Sequence, residues 1–311
     1  MPFATGGNAR IRTNIPAENA YNSLEMNNRN ISLRQLRLST GKRINNASDD
    51  VAGYITSRAL QARNGALKSA LLAVGDASNV TNIVQDSLDN INTLITQIKD
   101  AAATASSGAM GTDEKVALAK SAYRLAQQIQ TVVDSTVFGG YQLIGGTYSN
   151  YFVIGTDAVN SLLTLTIDMS TSNQDFNVES NNYNINSLNT SVFAGVSGLD
   201  LTDLDSVNYE DLGIFGEGQI STTIMSLSDA LNNTNKVATY AGGIANRLTS
   251  QEVLLQSQIT NYNAAISRLE DADVAQEQLQ LIKSQFLQQT SLTALTQANQ
   301  NPSNFLQLIR G

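Results

Sequence analysis

The chain has 311 residues, of which 41 % are apolar and only 15 % charged, against about 25 % charged in an ordinary soluble domain. Its net charge of −8 argues against nucleic acid and against an anionic membrane surface, both of which ask for a basic face. Cys, His and Trp are absent, so there is no disulfide, no thiolate, and neither the commonest catalytic base nor the commonest nitrogen metal ligand.

The opening MPFATGGNARIRTNIP has no apolar core of a cleavable secretory signal, and no later run approaches the roughly 20 apolar residues of a membrane span. The first predicted helix lies between Pro16 and Gly41, with Ala20, Leu24, Ile31, Leu36 and Leu38 as its apolar positions. Gly41 suits the left-handed residue that ends a helix. The stretch GKRINNASDDVAG, Gly41 to Gly53, then reads as a joint: stop, bend, restart. Asn46 or Ser48 is expected to cap the next helix, with Asp49 and Asp50 in its first turn beside the positive dipole end. The competing reading is a catalytic or metal-binding acid pair. Adjacent helical residues point about 100° apart, and no His or third acid lies nearby, so the joint is preferred.

A long helix from Ser48 to Ser107 carries the strongest pattern. Leu60, Leu67, Val74, Thr81, Leu88, Ile95 and Ala102 recur every seven residues, interleaved by Arg63, Ala70, Ala77, Val84, Ile91, Ile98 and Ala105. Only Thr81 and Arg63 interrupt this heptad seam. A shorter helix is predicted from Asp113 to Asp134, with Val116, Ala119, Tyr123, Ala126, Ile129 and Val133 on one face. VFGGYQLIGG then places Gly pairs at turns, and YFVIG and LLTLTID read as strands. The Gly pairs lack the Lys-Ser/Thr of a phosphate loop. From Ser170 to about Gly218 the chain is rich in Asn, Ser, Gly and Asp, and is either a small β-containing insert or partly irregular.

A second seam follows in Leu227, Thr234, Ala241, Leu248, Leu255, Tyr262 and Leu269, interleaved by Leu231, Ala238, Ala245, Glu252, Ile259 and Ile266. Glu270, Asp271 and Asp273 read as the matching joint on the returning chain, with Arg37, Lys42 and Arg43 placed to balance them, within one copy or between copies. A closing helix has Leu279, Ile282, Phe286, Leu292, Leu295 and Ala298 ahead of Pro302. Neither terminal helix has enough apolar face to stand alone in water; burial between copies is expected for both.

A 60-residue helix is roughly 90 Å long, whereas a compact chain of this length has a radius of gyration of about 20 Å. The expected fold is therefore mainly α: an elongated rod of antiparallel coiled-coil helices from both termini, with a small β-hairpin-containing middle. Residues 1–44 and 272–311 form the terminal helices, 45–169 and 221–271 the helical body with a hairpin near 138–168, and 170–220 a short, variable, exposed insert.

Several motifs also resemble bacterial flagellin. TNIPAENAYNSL and LSTGKRINNASDDVAG resemble its amino-terminal signature; GGIANRL, SRLEDADVAQE and IKSQFLQQTSLTALTQANQNPSNFLQLI resemble its carboxyl-terminal one. VFGGYQLIGG and YFVIGTD resemble the segment after its second helix and its first strand. The resemblance implies a structural subunit, not an enzyme and without cofactor or metal, that self-assembles head-to-tail into the filament used for swimming. It implies coaxial terminal helices lining the filament, an extracellular location, and export through the flagellar channel by the export machinery with a chaperone. Filament-cap and hook-junction proteins would be neighbours. Joint and subunit-contact residues would be Arg43, Asn46, Ser48, Asp49, Asp50, Asp271 and Asp273; polymerisation residues would be Leu24, Ile31, Leu38, Leu279, Ile282, Phe286, Leu292 and Leu295. A related hook–filament junction protein and, in a different class, a ligand-binding coiled-coil protein are the alternatives.

Overall fold

The computed structural model describes residues 13–156, 162–178, 183–186, 188 and 191–310. Residues 1–12 of the predicted amino-terminal segment, and 179–182, 187, 189 and 190 of the predicted insert, lie outside the described residues. Five long helices dominate: α1 (Ile15–Thr40), α2 (Val51–Ala105), α3 (Thr112–Ser135), α4 (Ile220–Glu270) and α5 (Val274–Arg310). Between α3 and α4 the described residues form small antiparallel hairpins: β1 (Val137–Phe138) with β2 (Tyr141–Gln142), β3 (Ser149–Thr156) with β4 (Leu162–Asp168), and β5 (Val192–Phe193) with β6 (Val196–Ser197). The predicted fold class, helical ends around a small β-containing middle, is the one observed. The chain forms two compact units: residues 1–64 with 260–311, and residues 65–259.

In the unit of residues 65–259 the α2 seam is buried from Leu67 through Val74, Ala77, Thr81, Val84, Leu88, Ile91, Ile95 and Ile98 to Ala105. Helix α4 runs antiparallel to it. Asn92 Nδ2 donates to Asn235 Oδ1 (2.9 Å), and seven residues earlier Gln85 lies against Gly242. Such polar rungs fix register, because a slipped pairing leaves an amide unpaired.

The second α4 series differs from the expected one. Ala230, Val237 and Ile244 are buried, whereas Leu231, Ala238 and Ala245 are half-buried. A two-residue seam was too narrow a template, because α4 also carries the middle of the chain. Asn233 Nδ2 donates to the Ala194 carbonyl (2.9 Å), and Gln251 Nε2 to the Ile154 carbonyl (2.7 Å). A helix touched on two sides buries a wider stripe. On α3 the early positions shift likewise: Lys115 and Ala122 are buried in place of Val116 and Tyr123. Lys115 keeps its charge paired with Glu217 (3.5 Å).

The stretch read as an exposed insert holds Phe176, Phe193 and Phe215, among the largest fully buried side chains. Phe176 meets Tyr183 and Tyr240 edge-on, with ring centroids 5.8 and 5.2 Å away. Its polar composition follows from its backbone, which is largely irregular among the described residues. Asn173, Asp200 and Asn208 side chains accept N–H groups two residues ahead, which is how short polar residues hold irregular chain.

In the unit of residues 1–64 and 260–311, the first turns of α2 depart from the predicted heptad. Arg63 is exposed and Asn64 is buried in its place, with Nδ2 donating to Asn263 Oδ1 (2.5 Å). Along α2 the steps Asn64 to Leu67 and Leu67 to Ala70 are both three residues, a local shift of the kind that breaks strict heptads. The loop between α1 and α2 and the short link between α4 and α5 lie in this unit, as does the α1–α5 pair.

Candidate functional site

The two predicted joints touch within one copy. Helix α1 ends at Gly41, whose φ of 69° is the left-handed conformation that a Cβ disfavours. Lys42 and Asp271 form an antiparallel bridge. Arg43 N–H donates to the Glu270 carbonyl (2.5 Å) and Ala272 N–H to the Gly41 carbonyl (2.9 Å). Two helix ends thus satisfy each other's loose backbone groups, which have no partner within their own helices. Arg43 adds a guanidinium hydrogen bond to the Leu269 carbonyl (2.9 Å) and lies 3.7 Å from Asp50.

The adjacent acids face opposite ways. Asp49 Oδ2 turns back and accepts the N–H groups of Asn45 and Asn46, each at 3.0 Å. These bonds, Asn46 first and Asn45 second, outweigh partial burial, and with the Arg37 charge they hold the Asp49 carboxyl below its ordinary range. Asp50 turns forward, and its Oδ1 accepts from Gly53 N–H (2.9 Å) while its carbonyl accepts from Tyr54. Asp50 is therefore the α2 cap, not Asn46 or Ser48 as expected. Asn46 instead shapes the preceding turn, its carbonyl accepting from Asp49, and Ser48 is exposed in that turn. Neither acid sits in the first helical turn, which begins at Val51. Gly53 is the other fixed point. A Cβ there would lie 2.5 Å from Asp50 Oδ2 and 2.7 Å from Ile44 Cδ1, and Ile44 is buried beneath the joint.

On the returning chain, Glu270 is buried. It receives Lys42 Nζ at 3.0 Å and Gln61 Nε2 at 2.7 Å. Burial pushes its carboxyl up, but Ser57, Lys42 and the Arg58 charge together pull it below its usual value. Asp273 caps α5 by accepting from Ala275 (3.0 Å) and Gln276 (3.1 Å). Asp271 accepts from Ser267 Oγ (2.5 Å).

Helices α1 and α5 pair antiparallel. At one end Glu277, buried at the start of α5, takes Arg34 at 2.8 and 3.0 Å and Arg37 at 3.2 Å. Farther along, Gln288 Nε2 donates to Asn28 Oδ1 (2.6 Å) and Asn27 Nδ2 to Ser291 Oγ (3.2 Å). At the far end Asn14 Nδ2 donates to the Ala298 carbonyl (2.8 Å). The face that α5 turns to α1 follows the residues at 277, 281, 284, 288, 291, 295 and 298. Spacings of three and four make it a regular seam, but Glu277, Ser284, Gln288 and Ser291 make it largely polar.

The eight predicted polymerisation residues divide across this geometry. Leu24, Ile31, Leu38 and Leu295 are half-buried in or beside the seam. Leu279, Ile282 and Phe286 point away from it, Leu292 lies at its edge, and all four are exposed, at 63, 57, 68 and 55 %. Tyr21, Met26 and Leu36 on α1 are exposed as well. Among the described residues, no His/Cys/Asp/Glu group is arranged to hold a metal ion, and no helix is long and apolar enough to cross a membrane.

Residue-type reasoning did not single out Glu277, Asn14, Ser57 or Asn64. Glu277 was findable as the acid four residues past Asp273, in the first turn of α5. Asn14 was findable as a polar residue two before Pro16, a common helix start. Asn64 is buried where the predicted seam has Arg63, one residue earlier, and Ser57 precedes the first residue of that seam, Leu60.

What these features define is a helical structural protein that presents apolar side chains on the helices of its two ends. Residues 11–149 match the bacterial flagellin N-terminal helical region and residues 224–309 match the bacterial flagellin C-terminal helical region; the chain belongs to the bacterial flagellin family. It is 28 % identical over 314 residues to the flagellin of Bacillus subtilis (strain 168), covering 97 % of this chain and 100 % of that one. It is 24 % identical over 301 residues to flagellin FlaB1 of Treponema pallidum (strain Nichols), covering 96 and 99 %. A solved Vibrio parahaemolyticus structure, described as flagellar hook-associated, shares the fold with a TM-score of 0.55 at 13 % identity, covering 72 % of this chain and 100 % of that one. Flagellin family membership along nearly the full length makes this chain a structural subunit of the flagellar filament.

Proposed function

We propose that the chain works by burying the outward apolar stripe of its end helices against neighbouring copies. The supporting observation is the inversion of α5: its polar seam faces α1, while Leu279, Ile282, Phe286 and Leu292 face solvent. Burial of a large apolar side chain stabilises by about 1.5–3 kcal/mol, and an isolated thin helix does not otherwise offset its ordering entropy. In this reading the ends are loosely ordered in the free chain and become firmly helical on addition to a growing end. The contact is head-to-tail and does not close, which yields an open helical filament.

The same reading makes Arg43, Asn46, Ser48, Asp49, Asp50, Asp271 and Asp273 the hinge region near which neighbours meet. It places the assembled protein outside the cell, delivered by the flagellar export machinery with a chaperone, and beside cap and hook-junction proteins. No catalytic or cofactor role is invoked. The test is purified chain mixed with filament seeds, followed by electron microscopy. Extension with a gain of helical circular dichroism supports the proposal. Seeds that are capped without extending would indicate a junction protein, and no binding to seeds would defeat both readings.

A further inference from the structure

Proline inside a helix removes one N–H and drives its ring against the carbonyl four residues back. Helix α5 nevertheless continues through Pro302 to Arg310. The carbonyl that Pro302 deprives of its usual donor four residues ahead is that of Ala298. This is the carbonyl to which Asn14 Nδ2 donates, at 2.8 Å, from the opposite end of the sequence. Ala298 is itself buried, so water is a poor substitute for that donor. The same Asn14 side chain does a second job: its Oδ1 accepts from Ala17 N–H (3.2 Å) and caps α1. One amide therefore begins one terminal helix and repairs the other.

We propose that Asn14 is a coupling latch, through which the last turns of α5 beyond Pro302 become stably helical only when α1 is docked and capped. The geometry assigns both halves of the amide. The acceptor oxygen serves α1, and the donor nitrogen serves the gap that proline opens. An ionised carboxylate, which only accepts, cannot take the place of the amide without losing the bond to Ala298. Asp keeps the cap but replaces the donor with an oxygen facing a carbonyl. Pro302 is then a built-in conditional stop: the carboxyl-terminal helix is interrupted by default and is completed by the amino terminus. This rests on the filament reading only for its use, since it would make joint ordering of both ends a single event in subunit addition.

The test is a double-mutant cycle on the full chain, with wild type, Asn14→Asp, Pro302→Ala, and both together. Ala at 302 supplies its own N–H to Ala298 and should make the latch unnecessary. Hydrogen exchange of the peptide spanning residues 299–310 is the first readout. Asn14→Asp should speed it about tenfold with proline at 302 and less than twofold with alanine. Where this peptide exchanges fully in all four free chains, the same comparison is read from the rate of extension from seeds. Equal effects of Asn14→Asp in the two backgrounds, or no effect in either, would overturn the latch. A chain that shows the coupling but never extends a seed would leave the latch standing and remove the filament role. A chain that extends seeds without the coupling would do the reverse.

Discussion

Replacing Phe286 by alanine separates folding from assembly. Phe286 is 68 % exposed in the single chain, so its removal opens no cavity and should leave the unfolding midpoint of the free chain unchanged. In the assembled state the exposed part of the ring would be covered. With roughly 200 Å² for a phenylalanine side chain, about 140 Å² remains to be buried, worth about 3 kcal/mol at 25 cal/mol per Å². A loss of that size raises the critical concentration for extension on the order of 100-fold. The assay is sedimentation of seeded protein over a range of total concentrations, paired with thermal melting of the unseeded chain. A critical concentration within twofold of wild type would refute the reasoning, since the ring would then stay in solvent in the polymer. A melting point lowered in proportion to the assembly defect would refute it too, because the ring would then belong to the monomer core.

Other outcomes follow from the joints and the ends. Gly53→Ala forces a methyl against Asp50 and Ile44 and should destabilise the joint by about 1–3 kcal/mol, seen as faster amide exchange in residues 43–60. Asp49 and Glu270 are both held below their ordinary pKa values, so each lends stability above its unfolded pKa that is lost as pH falls through the folded value. Chemical unfolding should therefore become easier below about pH 4, and Asp49→Asn should flatten part of that dependence. Removing residues 276–311 should leave a folded, soluble chain that never polymerises, judged by circular dichroism and microscopy; normal filaments from the truncated chain would contradict the role given to α5.

Much of this architecture is legible before any coordinates. The α2 seam from Leu67 onward is apolar at nearly every seventh and interleaved residue, and each of these residues is buried. Gly41 announces its left-handed turn by type alone. Legibility fails where a residue's partner is distant in sequence. Arg63 and Asn64 are neighbours on α2, and only the position of Asn263, about 200 residues away, decides which one turns inward. The Asp50 cap was missed because Asn46, Ser48 and Asp50 all have capping chemistry, and the choice between them depends on where Asp49 folds back. Residues 170–220 were the least legible part: turns consume their Asn and Asp side chains, and polar composition hides that Phe176, Phe193 and Phe215 are buried beneath. The end helices show a subtler limit. Periodicity identifies Leu279, Ile282 and Phe286 as one face, but it does not reveal that the facing helix would take the polar side instead.

The most direct measurement is a side-chain-resolved electron cryo-microscopy map of filaments grown from this chain. Leu279, Ile282, Phe286 and Leu292 should each lie within van der Waals contact of a neighbouring copy, with water excluded. A polymer in which those four side chains still face solvent, its contacts made elsewhere, would contradict the account.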